Sequence, residues 1–224
     1  MKDKYIAVTL VGGHKLYSMP LFFKYLSRLN IPPQELLISA TRTIFDKCME
    51  VYSGEVPVTW IHGKRDLGND MVVSTTSARE ALRTAILERD YEWSLWLDND
   101  ILVPPDMIEK FKRLLGKTPD LLWVNAFHPA RQKGGNQGRL RHGLGSSFIH
   151  RTLLEAVPFY CYELRGKFVG DDYPWKLIAS SFVSVYKFKV KYGILFDVRH
   201  AVEDGSIHEF TEEQRAKLNA VYRA

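Results

Sequence analysis

Cysteine is scarce in this chain, and no apolar stretch is long. The two cysteines, Cys48 and Cys161, lie far apart and outside any Cys-x-x-Cys spacing. That argues against a disulfide scaffold or a zinc site, and both read as reduced thiols packing as small hydrophobes. No apolar run approaches the roughly 20 residues that span a bilayer. The opening Met1-Lys2-Asp3-Lys4 leads straight into a strand-like run, with neither a long apolar core nor a cleavage site. No signal peptide is therefore expected, and the expected location is the cytoplasm. Glycine signatures for phosphate are missing too. Gly12-Gly13 is not Gly-x-Gly-x-x-Gly, and no Gly-x-x-x-x-Gly-Lys-Ser/Thr occurs, which excludes an ordinary dinucleotide fingerprint and P-loop.

What is present is ordinary for a globular protein. Hydrophobic residues make up 46% of the 224 positions and charged residues 25%, enough to bury a core and too apolar for disorder. The length suits one domain, and no linker, repeat or low-complexity segment divides it. A net charge of +5 and a pI near 9.1 favour anionic partners. The 31 Lys and Arg are scattered among 26 acids, so a concentrated nucleic-acid face is not expected. Lys187, Lys189 and Lys191 alternate along one segment, which leaves a peripheral contact with an anionic membrane open, beside the plainer reading of a charged edge strand.

The hydrophobic pattern alternates between strand and helix. Residues 5–11, 35–40, 56–61, 93–97 and 121–127 read as buried strands. Helices are expected between them: one capped by Ser18 with Pro20 in its first turn, then 44–51, 71–89 with a later start open at the Ser77/Glu80 capping box, and one from Pro104 to Leu115. This alternation predicts an α/β, Rossmann-like fold with a mostly parallel central sheet covered by helices on both faces. Past residue 127 the pattern changes. His128–His142 is rich in Gly, Arg, Lys and Gln and reads as a long loop of the kind that closes over a ligand. A strand is expected at 144–150, a short helix at 151–156, irregular chain at 159–170, a helix opening at Asp172, a last strand at 192–198 and a helix boxed by Thr211 and Gln214. The expected organisation is one domain over 1–224, with a nucleotide-binding half at 1–127 and an acceptor and catalytic half at 128–224.

The most informative local feature is the triplet Asp98-Asn99-Asp100, which closes the apolar strand Trp93–Leu97. Two carboxylates at the end of a buried strand are costly unless they are paired or hold a metal. At the C-terminal edge of an α/β sheet they sit where ligands bind. Oxygen ligands of this kind suit Mg²⁺ or Mn²⁺ bridging to phosphates. An EF-hand reading fails, because Leu102 is no oxygen ligand and no glycine follows in register. Local Asx turns are the plainer alternative for the two aspartates.

Together, these residues resemble a family. Trp96-Leu97-Asp98-Asn99-Asp100-Ile101-Leu102-Val103-Pro104-Pro105 resembles the metal-binding segment of nucleotide-sugar glycosyltransferases with the GT-A fold, most closely the family-2 type. Ser77-Ala78-Arg79-Glu80 lies about where that group has an Ala-Arg-Asn helix start, with Glu80 in place of the Asn. Gly143-Leu144-Gly145-Ser146-Ser147 is similar to the glycine-containing loop beside the donor sugar. Gly170-Asp171-Asp172 is similar to the x-Glu-Asp motif at a helix start, with Asp171 in place of Glu. His200 resembles the C-terminal histidine of the metal site. The acidic segment and the three landmarks downstream of it come in the family's order, and the resemblance spans residues 5–200.

The resemblance implies a metal-dependent hexosyltransferase that moves a sugar from a UDP- or GDP-sugar to an acceptor hydroxyl on a glycan, a lipid-linked molecule or a protein. It implies Mn²⁺ or Mg²⁺ on Asp98, Asp100 and His200. Donor contacts are implied from Thr9, Val11, Gly12, Thr41, Arg42, Arg79, Asp98, Asn99, Gly145 and Ser146. Asp172 is implied as general base of an inverting reaction, with Asp171 positioning the acceptor, and a retaining course on the same fold stays open. For Asp172, helix capping is the structural alternative, and for Arg79 a solvated helix arginine. Two other readings compete: a nucleotidyltransferase or phosphodiesterase with a carboxylate-bound divalent metal, and a basic nucleic-acid or membrane adaptor without catalysis.

Overall fold

The buried strands pair as their composition demands. A computed structural model describes residues 4–62, 70–129, 144–170, 172–193 and 195–216. The first five long strands are β1 (Tyr5–Leu10), β2 (Glu35–Ala40), β3 (Val58–His62), β4 (Trp93–Asp98) and, after the two-residue β5 (Ile101–Leu102), β6 (Leu121–Ala126). With β7 (Ser146–His150) and β10 (Lys189–Gly193) they form a seven-stranded sheet in the order β10-β6-β7-β4-β1-β2-β3. Every pair is parallel except those of β7, which runs antiparallel to both β4 and β6. The chain goes from β1 outward to β2 and β3, then returns to place β4 on β1's other side. The switch point of the sheet therefore lies between the ends of β1 and β4, where Leu10 pairs with Asp98.

Each strand feeds two cores because successive side chains point to opposite faces. Tyr5 and Ala7 of β1 join Leu95, Leu97 and Phe111 on one side. Ile6 and Val8 join Trp96, Trp123 and Trp175 on the other. The first face is covered by α1 (Met19–Leu26), α2 (Arg42–Glu50) and α4 (Met107–Lys117), the second by α3 (Met71–Leu87), α5 (Arg151–Ala156) and α6 (Asp172–Val185). This two-faced burial explains why the strands read as continuous apolar runs.

Helix α3 starts at Met71, as the 71–89 reading has it and not at the later Ser77/Glu80 box, because Asp70 caps it by accepting hydrogen bonds from the amides of Val72 and Val73. Three expectations change. Ser18 does not cap α1: its hydroxyl donates to the Lys15 carbonyl, within a 3₁₀ turn over Gly13–Ser18. The supposedly irregular 159–170 segment contains a hairpin of β8 (Tyr162–Leu164) and β9 (Lys167–Val169), turned at Arg165 and Gly166, both with positive φ. The last strand is really two. β10 ends at Gly193, and β11 (Arg199–Ala201) belongs to a separate three-stranded sheet with β5 and β12 (Ile207–His208). The capping box at Thr211 and Gln214 is formed in both directions.

Candidate active site

The site is assembled where β4 ends. Asp98 donates its amide to the Gly145 carbonyl at 2.9 Å, which draws the segment before β7 against the triplet. A Cβ on Gly145 would overlap the Asp98 carboxyl, so only glycine fits this approach. The Asp98 side chain stays partly open, with the guanidinium of Arg79 3.9 Å from one oxygen. Arg79 lies mid-helix in α3 and is nearly fully buried.

Asn99 points inward. Its amide nitrogen donates to the Lys15 carbonyl at 2.8 Å and to the Ser18 hydroxyl at 3.0 Å. The middle residue of the triplet thus fastens the turn after β1 to the end of β4. Asp100 then turns the chain into β5, whose pairing with β11 sets His200 opposite Ile101. The Ala201 amide donates to the Asp100 carbonyl at 2.8 Å.

The Asp100 carboxylate is wholly buried, and its two oxygens face different groups. Oδ1 lies 3.2 Å from the Lys15 ammonium and Oδ2 lies 3.1 Å from His200 Nε2. His200 Nδ1 is 2.8 Å from the Pro129 carbonyl, an acceptor, so the proton belongs on Nδ1. In a neutral ring that leaves the Nε2 lone pair aimed at a carboxylate oxygen. Two lone pairs at this separation repel unless a proton or a cation lies between them. Metal-ligating histidines commonly donate their other ring nitrogen to a backbone carbonyl in this way, so the pair fits a hard or borderline divalent cation. Among the described residues no three His, Cys, Asp or Glu side chains gather into a closed metal cage. A cation here would complete its shell with phosphate oxygens and water, as Mg²⁺ and Mn²⁺ do at nucleotide sites.

His128, just beyond β6, sits edge-on to His200 with ring centroids 5.4 Å apart. Its Nε2 is buried and has no hydrogen-bond partner among the described residues. Burial, and then the neighbouring His200, push its pKa down to about 4 against the pull of Asp98 and Asp100. The ring is neutral at physiological pH.

The other expected donor residues divide. Thr9, Val11 and Gly12 are buried at the end of β1, next to the triplet, and the Val11 amide donates to Ser39. Thr41 precedes α2, and the exposed Arg42 is held by Asp46 and by the face of Trp60, 5.3 Å from its ring centre. Ser146 is fully buried with its hydroxyl given to the Ala126 carbonyl, so it ties β7 to β6. Asp172 is the first residue of α6. Asp171 and the basic segment 130–143, with its expected lid and Gly143, lie outside the described residues. Lys15 and His128 were not among the expected site residues. The signals for them were a lysine two residues after the Gly12-Gly13 break and a histidine directly after a buried strand.

No protein-family model matches the chain, and no curated protein sequence is similar to it. Solved structures are similar in fold. Glucosyl-3-phosphoglycerate synthase from Mycobacterium tuberculosis, in complex with Mn²⁺, UDP and phosphoglyceric acid, superposes with a TM-score of 0.57 at 12% identity over 93% of this chain and 71% of that one. The same enzyme with Mn²⁺ and UDP-glucose gives a TM-score of 0.55 at 11% identity, over 93% and 72% of the two chains. A mannosyltransferase from Pyrobaculum calidifontis, in complex with GDP-mannose and Mn²⁺, gives 0.54 at 12% identity over 84% of this chain and 54% of that one. The chain has the GT-A fold.

Proposed function

We propose that this protein is a metal-dependent glycosyltransferase that uses a nucleotide-diphosphate sugar, a UDP- or GDP-sugar, as donor. The observation that carries the reading is the Asp100–His200 pair: a buried carboxylate oxygen and an imidazole nitrogen 3.1 Å apart, at the switch point of a GT-A sheet. Asp98, partly open beside Arg79, would share the cation or hold the donor. The divalent cation, Mn²⁺ or Mg²⁺, would neutralise the two phosphates and make the nucleotide diphosphate an acceptable leaving group. In this reading Thr9, Val11 and Gly12, at the end of β1, would meet the nucleotide base, and Gly145 lets its segment pack directly against Asp98.

Asp172, at the start of α6, is our general base for the acceptor hydroxyl, which makes the reaction inverting, with Asp171 positioning the acceptor. A single cation completed by the donor needs only the pair described. A two-metal phosphodiesterase would need more carboxylates than gather among the described residues. Acceptor classes remain those with a free hydroxyl: a glycan, a lipid-linked molecule or a protein. We include a peripheral membrane contact in this reading, because the exposed apolar side chains concentrate on the β8–β9 hairpin and α6.

The test is calorimetry of UDP and GDP, with and without Mn²⁺, on wild type, Asp100→Ala and Asp172→Asn. One nucleotide should bind in a Mn²⁺-dependent way. Asp100→Ala should lose at least tenfold in that affinity. Asp172→Asn should keep the affinity while losing turnover by about a hundredfold or more, the usual weight of a general base. Failure of all nucleotide diphosphates to bind with any divalent cation would end this reading.

A further inference from the structure

The Lys15–Asp100 contact is not an ordinary surface ion pair. The ammonium lies 3.2 Å from Oδ1 of a carboxylate with no solvent exposure, and the lysine side chain itself is 15% exposed. Its backbone is fixed at three points. The Lys15 amide donates to the Gly12 carbonyl at 2.9 Å, and the Lys15 carbonyl accepts from Asn99 Nδ2 and from the Ser18 hydroxyl, each at 2.8 Å. The central residue of the acidic triplet therefore grips the backbone of the lysine that neutralises the triplet's last residue.

Among the described residues, each aspartate of the triplet already faces a cation. Lys15 is set against Asp100 and Arg79 against Asp98. Adding a divalent cation alone puts two extra positive charges at a short distance from a half-buried ammonium. A diphosphate removes that conflict, because its oxygens accept both the cation and the ammonium. Lysine is suited to such an exchange, as a compact charge on a flexible stem.

We propose that Lys15 is a donor-diphosphate ligand which, in the empty site, holds the cation's place on Asp100, so that metal and nucleotide bind as a coupled pair and not metal first. The inference rests on the donor-site reading above and adds to it a residue and an order of binding. Nucleotide should raise the affinity for Mn²⁺, and Mn²⁺ should raise the affinity for nucleotide by the same factor. Lys15 is the source of much of that factor.

The experiment is titration of Mn²⁺, followed by the electron paramagnetic resonance signal of the free ion, on wild type, Lys15→Met and Lys15→Arg, each alone and with saturating UDP or GDP. Thermal melts check that all three fold. Wild type should bind Mn²⁺ weakly alone and at least tenfold more tightly with the nucleotide. Lys15→Met should bind Mn²⁺ alone at least tenfold more tightly than wild type, bind the nucleotide more weakly, and lose most of the coupling. Lys15→Arg, which keeps the charge, should stay close to wild type for Mn²⁺ alone. If Lys15→Met binds Mn²⁺ alone no better than wild type and keeps the coupling, the proposal is wrong while the donor site stands. If neither wild type nor variant binds Mn²⁺ or nucleotide in any combination, the donor-site reading fails and takes this one with it.

Discussion

His128 is a buried imidazole whose Nε2 has no partner among the described residues, and that has a pH consequence. Its pKa is pushed down to about 4 by burial and then by His200, whereas an unfolded histidine titrates near 6.5. Well above pH 6.5 the ring is neutral in both states and contributes no pH dependence. As the pH falls from about 6.5 toward about 4, the unfolded chain takes up a proton that the folded chain does not. The unfolded state then binds more protons, so stability drops as the pH drops. Between pH 7 and pH 5 the loss from this one group is about 2 kcal/mol, by the same linkage. His128→Phe should remove it. Melting temperatures of metal-free wild type and variant, measured from pH 7.5 to 5, should fall more steeply for wild type. Parallel curves would mean that His128 protonates in the folded protein as readily as in the unfolded one.

At the scale of elements, α3 does more than carry Arg79. Glu80, which stands where a related Ala-Arg-Asn segment would place asparagine, accepts a hydrogen bond from the buried Phe159 amide at 2.8 Å and pairs with Arg83 at 2.7 Å. Arg83 in turn donates to the Leu154 carbonyl. The Phe159 ring stacks on Trp175 of α6, with centroids 5.3 Å apart and planes 12° from parallel. Through this chain of contacts α3 holds the exit of α5 and the first turn of α6, the turn that begins with Asp172. Glu80→Ala leaves the Phe159 amide buried without its acceptor and should cost about 1–3 kcal/mol in urea unfolding. Glu80→Gln keeps an acceptor oxygen and should cost less than half as much. Equal losses would mean that the charge, and not the hydrogen bond, matters. The β/α alternation behind this arrangement was legible because strands buried on both faces read as unbroken apolar runs. The direction of β7 was not, since the strand's own residues carry no mark of which way it pairs. The β8–β9 hairpin was hidden by three-residue strands and by Arg165 at a turn position that usually holds Asn or Asp. The split of the last strand was hidden because β11 is defined by pairing with Ile101 and Leu102, almost a hundred residues away. In the site, Asp98, Asp100 and His200 stood out as charged or metal-binding residues at strand ends. Lys15 and His128 acquire meaning only from what they face.

Across the whole molecule, exposed apolar surface is unevenly spread. Nine of the twelve large apolar side chains exposed among the described residues lie between Tyr160 and Tyr186, including Leu164 and Phe168 on the hairpin and Tyr173, Leu177, Ile178 and Val185 on α6. Apolar surface gathered on one part of a soluble fold marks a contact surface. Its tyrosines suit a membrane interface, where an aromatic body meets the headgroup layer. Exposed Arg165, Lys167 and Lys187 flank it, and Glu163, Asp171 and Asp172 are the acids beside it in sequence. Lys189 and Lys191 take less part than their spacing suggested, because Val190 and Tyr192 turn toward α6 and the lysines alternate to the other side of β10. The basic flanks would repel a second copy across a two-fold axis and attract an anionic lipid face, in a chain of net charge +5. No helix of the described residues is long and apolar enough to cross a membrane, and the membrane contact proposed for this surface would lie in the interface plane. The protein should sediment with vesicles containing phosphatidylserine, much less with pure phosphatidylcholine, and the binding should weaken as salt is raised. Leu177→Asp with Val185→Asp, at exposed positions that leave both cores intact, should abolish sedimentation without lowering the melting temperature. Equal binding by the double variant, or none by wild type, would remove the membrane from this reading. A wild-type dimer in light scattering that the double variant dissolves would assign the surface to a second copy instead.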